Sequence, residues 1–337
     1  MPTLMSPSRW SAPRRVQLAA VVTLGVVVTL LAVVVDPAGA AAVVRSATES
    51  VGDLLSWWQA AILGVVEGVT EYLPISSTGH LLVTARLLGL PSEKGSAGPE
   101  AVNTYAVAIQ FGAILAVLGL FWKRFRSMVL GLFGRDDGGR HLLIVLVIAF
   151  LPSAILGALF DSAIEDTLFG PWPIVISWII GGVVILVLER SGRIPDRGVE
   201  AEPGTDPILD ITYRQALIIG IVQCLALWPG TSRSLTTILA ALLVGVAAPA
   251  AVEFSFLLGF GTLTAATVYK LGKDGGTLID QFGVVTPVIG VFFAFISAVI
   301  AIKWLVSYLQ HHDLSIFAWY RFGVAAVTIG LLVGGVI

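Results

Sequence analysis

Charged side chains are scarce in this sequence. Asp, Glu, Lys and Arg make up 12% of its 337 residues, about half the share of roughly 25% usual in soluble globular domains. Cysteine is almost missing, and the single Cys224 excludes an internal disulfide. Lys and Arg are scattered through short connections and never form a long basic surface, so no nucleic-acid partner is expected. The net charge of −2 says less than the placement of those basic residues. Apolar chain is what the sequence has in abundance. Hydrophobic residues account for 56%, the mean hydropathy is +0.92, and several uncharged runs approach the ~20 residues that cross a bilayer as a helix. These features define an all-α, multi-pass integral membrane protein.

Residues 1–54 stand apart as an N-terminal extension. Arg9, Arg14 and Arg15 precede an uncharged run over 16–35, followed by "DPAGAAA". The basic start, apolar run and small residues near Ala38–Ala40 are signal-like. A run of about 20 apolar residues, however, is long for a signal core and right for a full span. The expectation is one extra, uncleaved N-terminal hydrophobic helix, and on either reading the arginines stay in the cytoplasm. Residues 55–337 then form the main membrane domain. Full spans are expected near 103–122, 141–160, 172–190, 250–270, 284–304 and 318–336, with Pro152 kinking the second.

Two more apolar segments, 57–90 and 212–247, are interrupted by "LPISSTGH" and "WPGTSRSLTT". Neither half of either segment is long enough to span alone, so each reads as a re-entrant helix pair. Broken backbone at membrane depth is tolerated only inside protein or beside a wet cavity. The two breaks look related. Aligning Pro74 with Pro229 lays "PISST" over "PGTSR" and Ser77 over Ser232, and "AAILGVVEG" parallels "ALIIGIVQC". A re-entrant pair plus three transmembrane helices in 55–190 is thus repeated in 212–337. Three is odd, so the second copy enters from the opposite side, which makes an inverted repeat.

Charge placement orients it. Loop 123–140 carries Lys123, Arg124, Arg126, Arg135 and Arg140, and loop 189–214 carries Arg190, Arg193, Arg197 and Arg214. Loop 161–171 holds Asp161, Glu165 and Asp166 with no basic residue. The basic loops belong in the cytoplasm, and the first break opens to the outside.

The polar residues within the breaks carry the chemistry. Glu67 and Glu71, four apart, share a helix face, and charges at this depth face a cavity or a partner. They suit a divalent cation shared with phosphate oxygens, or the deprotonation of a nucleophile. His80 is the one histidine of four away from a loop or span end, and its ordinary pKa suits proton transfer. Ser76, Ser77 and Thr78 offer donors to an anion, a nucleophile, or an N-cap for the returning helix. From the second break come Gly230, which lets backbone approach a ligand, and the hydroxyls of "TSRS". Arg233 lies among them, and its fork of donors matches phosphate or carboxylate. A locking bridge from Arg233 to Glu67 or Glu71 is the alternative. Gln110, Gln223, Glu253, Tyr320 and Arg321 brace or line such a site. The inventory is that of an anion-plus-metal site, and phosphate chemistry fits it best. A transporter or flippase of an anionic lipid or small anion is the rival class, since inverted repeats are transporter architecture.

"EGVTEYLPISSTGH" and "LWPGTSRSLTTI" closely resemble the undecaprenyl-pyrophosphate phosphatase family of the bacitracin-resistance type. "AIQFGAILAV", "EFSFLL" and "YRFGVAA" support the likeness, which covers residues 55–337. The resemblance implies hydrolysis of undecaprenyl pyrophosphate to undecaprenyl phosphate and inorganic phosphate, recycling the lipid carrier of peptidoglycan synthesis. It implies a site facing the outer side of the bacterial plasma membrane and a divalent cation, Mg²⁺ or Ca²⁺, on Glu67 and Glu71. By motif, Glu67 and Glu71 are the acidic pair, His80 the catalytic histidine, Ser77 the nucleophile candidate and Arg233 the phosphate-binding arginine. Ser76, Thr78, Gly230, Ser232, Ser234 and Thr237 surround the phosphates. The expected partners are undecaprenyl pyrophosphate and membrane lipid, with a homodimer left open. Leu235 departs from the family pattern, which has glycine after "SRS", and its Cβ is expected to narrow the turn.

Overall fold

The structure is a computed structural model and describes residues 55–90, 97–192, 194 and 206–335. The N-terminal extension with its hydrophobic helix over 16–35 lies outside the described residues, as do Arg193 and Arg197. Eleven α-helices are described, with no strands among these residues. They are α1 (Trp57–Thr70), α2 (Ser77–Leu87), α3 (Ala97–Leu120), α4 (Trp122–Leu132), α5 (Asp137–Leu168) and α6 (Pro171–Arg190). After them come α7 (Tyr213–Gln223), a 3₁₀ turn over Cys224–Leu227, α8 (Arg233–Leu243), α9 (Ala248–Phe282), α10 (Val285–Leu309) and α11 (Ser315–Val333).

Six of these are long and apolar enough to cross a membrane: α3, α5, α6, α9, α10 and α11. Each coincides with an expected span. Their outward faces carry large apolar side chains such as Ile155, Leu159, Val187, Val288, Ile300 and Val327, all exposed. An aqueous surface could not tolerate such patches, whereas a bilayer solvates them. Helix α5 continues through Pro152 without a break.

The remaining helices α1, α2, α7 and α8 have 14, 11, 11 and 11 residues, too short to span a ~30 Å hydrocarbon core. They form two pairs built alike. Ser56 N–H donates to Gln59 Oε1 at 2.8 Å, as Thr212 N–H does to Gln215 Oε1 at 2.9 Å. Gln59 Nε2 then reaches Leu88 O at 3.1 Å, and Gln215 Nε2 reaches Val244 O at 2.9 Å. Each amide ties the start of its first helix to the end of its second. Packing is reciprocal as well: α1 lies on α10 and α7 lies on α5. One constant spacing relates Ser56 to Thr212, Gln59 to Gln215 and Ser76 to Ser232. Ser76 therefore corresponds to Ser232, and the alignment of Ser77 with Ser232 is one residue out of register. The geometric landmark is the turn serine and not the proline.

One end of the bundle is closed by ions. Arg124 on α4 reaches Asp206 with Nη1 (2.5 Å) and Nη2 (2.8 Å), and Glu253 on α9 with Nε (2.7 Å) and Nη2 (3.2 Å). This bidentate grip on two carboxylates pins the connection before α7 to α4 and α9. Nearby, Asp136 caps α5 by accepting from Gly139 N–H at 2.9 Å. The Ser127 hydroxyl and that amide hold its carboxyl below the usual carboxylate range. Replacing Arg124 by Met strands Glu253 in the interior, which costs about 3–5 kcal/mol. The expected result is a large drop in the unfolding midpoint of purified protein in detergent. Asp206→Asn, at a side chain 34% exposed, lowers it less.

Candidate active site

Both helix pairs break in the same way. After α1 the chain turns through 71–75 to Ser76, at φ 73° and ψ 108°, and α2 begins at Ser77. After the 3₁₀ turn it passes Gly230, at φ 93°, to Ser232, at φ 75° and ψ 113°, and α8 begins at Arg233. Positive φ is uncommon in serine. It is kept here because the surroundings over-determine it, as is typical of functional sites. The two turns aim the N-termini of α2 and α8 at one cavity of about 550 Å³. Unpaired N–H groups and dipole ends make such termini favourable for anions.

The residue that joins the breaks is Arg321 on α11, fully buried. Its guanidinium donates to Pro74 O (3.1 Å) of the first break and to Gly230 O (2.8 Å) and Thr231 O (3.1 Å) of the second. It also donates to Ser177 O (3.2 Å) and Trp178 O (3.3 Å) of α6. All five acceptors are main-chain carbonyls, and the three from the breaks lie in irregular chain, outside any helix ladder. Gly181 gives the guanidinium its room, since a Cβ there would overlap it. Trp178 assists from α6 by donating its indole N–H to Ile75 O at 3.0 Å. The sequence marked Arg321 as a residue that braces or lines the site, and nothing in its neighbourhood along the chain announces these partners.

Within that frame Glu71 is the hub. Its Oε1 accepts from Arg233 Nη2 at 2.8 Å, and its Oε2 accepts from the Ser77 hydroxyl. Arg233 also donates to Ser255 O at 3.3 Å and lies 5.5 Å from the Tyr72 ring centroid. A Cβ at Gly259 would collide with its guanidinium, so that glycine admits it. Glu71, Ser76, Ser77, Thr78, Gly230, Ser232 and Arg233 all line the cavity.

Other expected site residues lie elsewhere. Glu67 is fully buried one helical turn before Glu71, and neither of its carboxylate oxygens meets a hydrogen-bond donor among the described residues. Ser234 is fully buried and donates to Leu73 O at 2.8 Å. Thr237, equally buried, pairs with Ser255 Oγ at 2.6 Å and Arg233 O at 2.9 Å. Both hydroxyls brace the break and neither lines the cavity. His80 is half-buried against Tyr320 and Trp178 and is not a lining residue. Leu235 is buried in the core, and its N–H still donates to Ser232 Oγ at 3.3 Å. It does not line the cavity. Gln223 and Ser153 do line it, joined Nε2 to Oγ at 2.5 Å.

The fit to a divalent cation rests on Glu67. Two buried carboxylates one turn apart, one of them without a donor, make a hard-oxygen donor pair of the kind that Mg²⁺ or Ca²⁺ accepts. Among the described residues no third Asp, Glu, His or Cys joins them. Phosphate oxygens and water would have to complete the shell. Acid, hydroxyl, guanidinium and two helix N-termini facing one cavity can hold a phosphate and activate the serine hydroxyl.

Fold and site together define a multi-pass membrane protein with a cavity lined by hydroxyls, Glu71 and Arg233. The sequence profile described as Bacitracin resistance protein BacA matches residues 60–327. The chain is 42% identical over 277 residues to the undecaprenyl-diphosphatase of Sorangium cellulosum, covering 82% of this chain and 86% of that one. It is 43% identical over 278 residues to the undecaprenyl-diphosphatase of Nitrosomonas europaea (82% and 95%). To undecaprenyl-diphosphatase 2 of Rhodospirillum rubrum it is 41% identical over 286 residues (85% and 98%). The chain belongs to the BacA family.

Removing the Arg321 fork leaves several buried carbonyls without donors, each costing about 1–3 kcal/mol. Arg321→Met is therefore expected to lower the thermal midpoint in detergent sharply. Arg321→Lys, a single point of donors, should recover only part of it. A midpoint equal to wild type in both variants would contradict this account of the frame.

Proposed function

We infer that this protein is an undecaprenyl-pyrophosphate phosphatase, which hydrolyses undecaprenyl pyrophosphate to undecaprenyl phosphate and inorganic phosphate. The observation that carries the reading is the Ser77–Glu71–Arg233 chain at the cavity wall. A carboxylate that accepts from a serine hydroxyl is a base in place for a nucleophile. A guanidinium on the same carboxylate is in place for the phosphate that the nucleophile attacks. Transport needs binding groups but has no use for a serine held on a base, so the transporter and flippase reading is the weaker one.

In the proposed mechanism Arg233 and the N-termini of α2 and α8 hold the pyrophosphate, with Ser76, Thr78 and Ser232 as further donors. Ser77 Oγ attacks the terminal phosphorus while Glu71 takes its proton. The bond to the bridging oxygen breaks, undecaprenyl phosphate leaves, and water then hydrolyses the phosphoserine. Positioning and charge stabilisation are the principal levers in phosphoryl transfer. Glu67 and Glu71 are the residues that would hold a divalent cation, which when bound offsets charge on the phosphate oxygens. The prenyl tail lies along the apolar wall formed by Phe150, Ala154, Ala158, Leu263 and Ala266.

We further propose that α1–α2 and α7–α8 are re-entrant pairs at the heads of two inverted repeats, 55–190 and 212–337. The matched capping, the two left-handed serines and the reciprocal packing support this. An outward-facing site in the bacterial plasma membrane is supported by charge and placement. Asp161, in the last turns of α5 and with Asp166 beyond it, lines the cavity, whereas Arg124 at the start of α4 lies in the ion cluster with Glu253. Along α9, Glu253 is separated from the lining residue Tyr269 by about 24 Å at 1.5 Å per residue.

Two outcomes are expected from phosphate release by purified protein in detergent with undecaprenyl pyrophosphate. Release falls on adding a chelator and is restored by Mg²⁺ or Ca²⁺, and Glu71→Gln and Arg233→Ala each lower kcat/KM by about 100-fold or more. No release from well-folded wild type would sink the phosphatase reading. Separately, Ser77→Ala is expected to abolish turnover, and acid quenching of wild type should trap phosphate on Ser77. Full activity in Ser77→Ala would assign the attack to water.

A further inference from the structure

His80 follows the first break and stands where a proton carrier is expected, yet it does not line the cavity and both of its ring nitrogens are engaged by protein groups. Nδ1 lies 2.6 Å from Ser76 O, and Nε2 lies 2.9 Å from Tyr320 Oη. A carbonyl only accepts, so Nδ1 carries the proton. The neutral ring then has a bare Nε2, which accepts from the Tyr320 hydroxyl. The imidazole stacks on Tyr320 at 5.6 Å between centroids, with an interplanar angle of 17°, and lies 5.2 Å from the Trp178 ring.

The two breaks differ at this carbonyl. At Ser232, four residues before Thr236, the carbonyl takes the Thr236 backbone N–H at 3.1 Å, and the serine hydroxyl takes Leu235 N–H. At Ser76, four residues before His80, the donor is the imidazole, and the serine side chain makes no cap hydrogen bond. The ring thus donates to the carbonyl at the head of α2, a side-chain bond with no counterpart at Ser232. It leaves the Ser76 hydroxyl at the cavity wall and holds a serine in the left-handed region, where serine does not rest by preference. Ser77, the next residue, is the one on Glu71.

We propose that His80 is a positioning residue and not a proton carrier: its Nδ1–H clamps the Ser76 carbonyl and so sets the turn that places Ser77 on Glu71. The Ser76 carbonyl fixes the tautomer, and Tyr320 from α11 holds the other ring nitrogen. The proposal rests on the phosphatase reading above.

Asparagine separates the two roles. Its Nδ2 overlays an imidazole Nδ1 and donates to Ser76 O, but it carries no proton between groups near neutral pH. Glutamine overlays Nε2 instead, and alanine overlays neither. His80→Asn is expected to keep kcat within about tenfold of wild type with both limbs of its pH–rate profile intact. His80→Gln and His80→Ala should lose about 100-fold or more in kcat, the range of a mispositioned or missing catalytic group. KM for the lipid should move less than threefold. Melting points and circular dichroism run beside each assay separate misfolding from mispositioning.

Equal losses in Asn, Gln and Ala variants that melt like wild type, or a pH limb missing from the Asn variant alone, would overturn the proposal. So would ¹⁵N NMR of histidine-labelled wild type that placed the His80 proton on Nε2 at neutral pH. An Nδ1–H signal that shifts in Tyr320→Phe supports it. A well-folded wild type without phosphatase activity would remove the function but leave the NMR assignment standing, so the two failures are distinguishable.

Discussion

A buried guanidinium with only carbonyls for company holds this molecule's site together. Arg321 satisfies main-chain oxygens of the first break, the second break and α6 at once. The constraint behind it is the solvent. Within hydrocarbon an unpaired carbonyl costs several kcal/mol, so helices may be interrupted only where protein supplies the missing donors. Two interruptions that meet at one side chain need many donors in a small volume. One arginine with five N–H groups supplies them more compactly than any other side chain. Gly181 leaves the space, and Trp178 adds a donor of its own.

Once the breaks are held, the chemistry of the cavity follows from what each contributes. The first brings the acids and Ser77, and the second brings Arg233. Glu71 is bonded to one residue from each, so the Ser77 hydroxyl and the Arg233 guanidinium share a carboxylate. The surrounding hydroxyls divide between two tasks. Ser76 and Thr78 line the cavity, Ser234 and Thr237 brace the chain against Leu73 and Ser255, and Ser232 does both. In a polar turn placed within apolar surroundings, about as many groups are needed to hold the turn as to act on a ligand.

Much of this was legible along the chain. The six spans fall where strongly apolar runs of sufficient length occur, because hydropathy and helix rise are local properties. The site was legible in part for the same reason: Glu67 and Glu71 at helical spacing, and Arg233 in a hydroxyl-rich break, are anomalies against a greasy background. Register between the breaks was missed by one residue because the prolines are the conspicuous letters, while the shared feature is a left-handed serine that composition does not announce. The ungapped likeness of "AAILGVVEG" to "ALIIGIVQC", carried forward, contains the right register. Leu235 looked like an intrusion into the turn and is a core residue. Which side of a helix a residue faces depends on neighbours far away in sequence.

Composition and periodicity alone determined the membrane class, the six spanning helices, the two breaks and the ionisable groups within them. These depend on transfer free energies and spacings that operate over about 20 residues. Only the tertiary structure decided which of those groups meet. It joined Glu71 to Arg233 across 162 positions, His80 to Tyr320 across 240 and Pro74 to Arg321 across 247. It also turned Ser234 and Thr237 away from the cavity. The reason is physical: a buried hydrogen bond is directional and short. Its partner is chosen by how the helices pack, and that choice leaves no trace in the local order of residues.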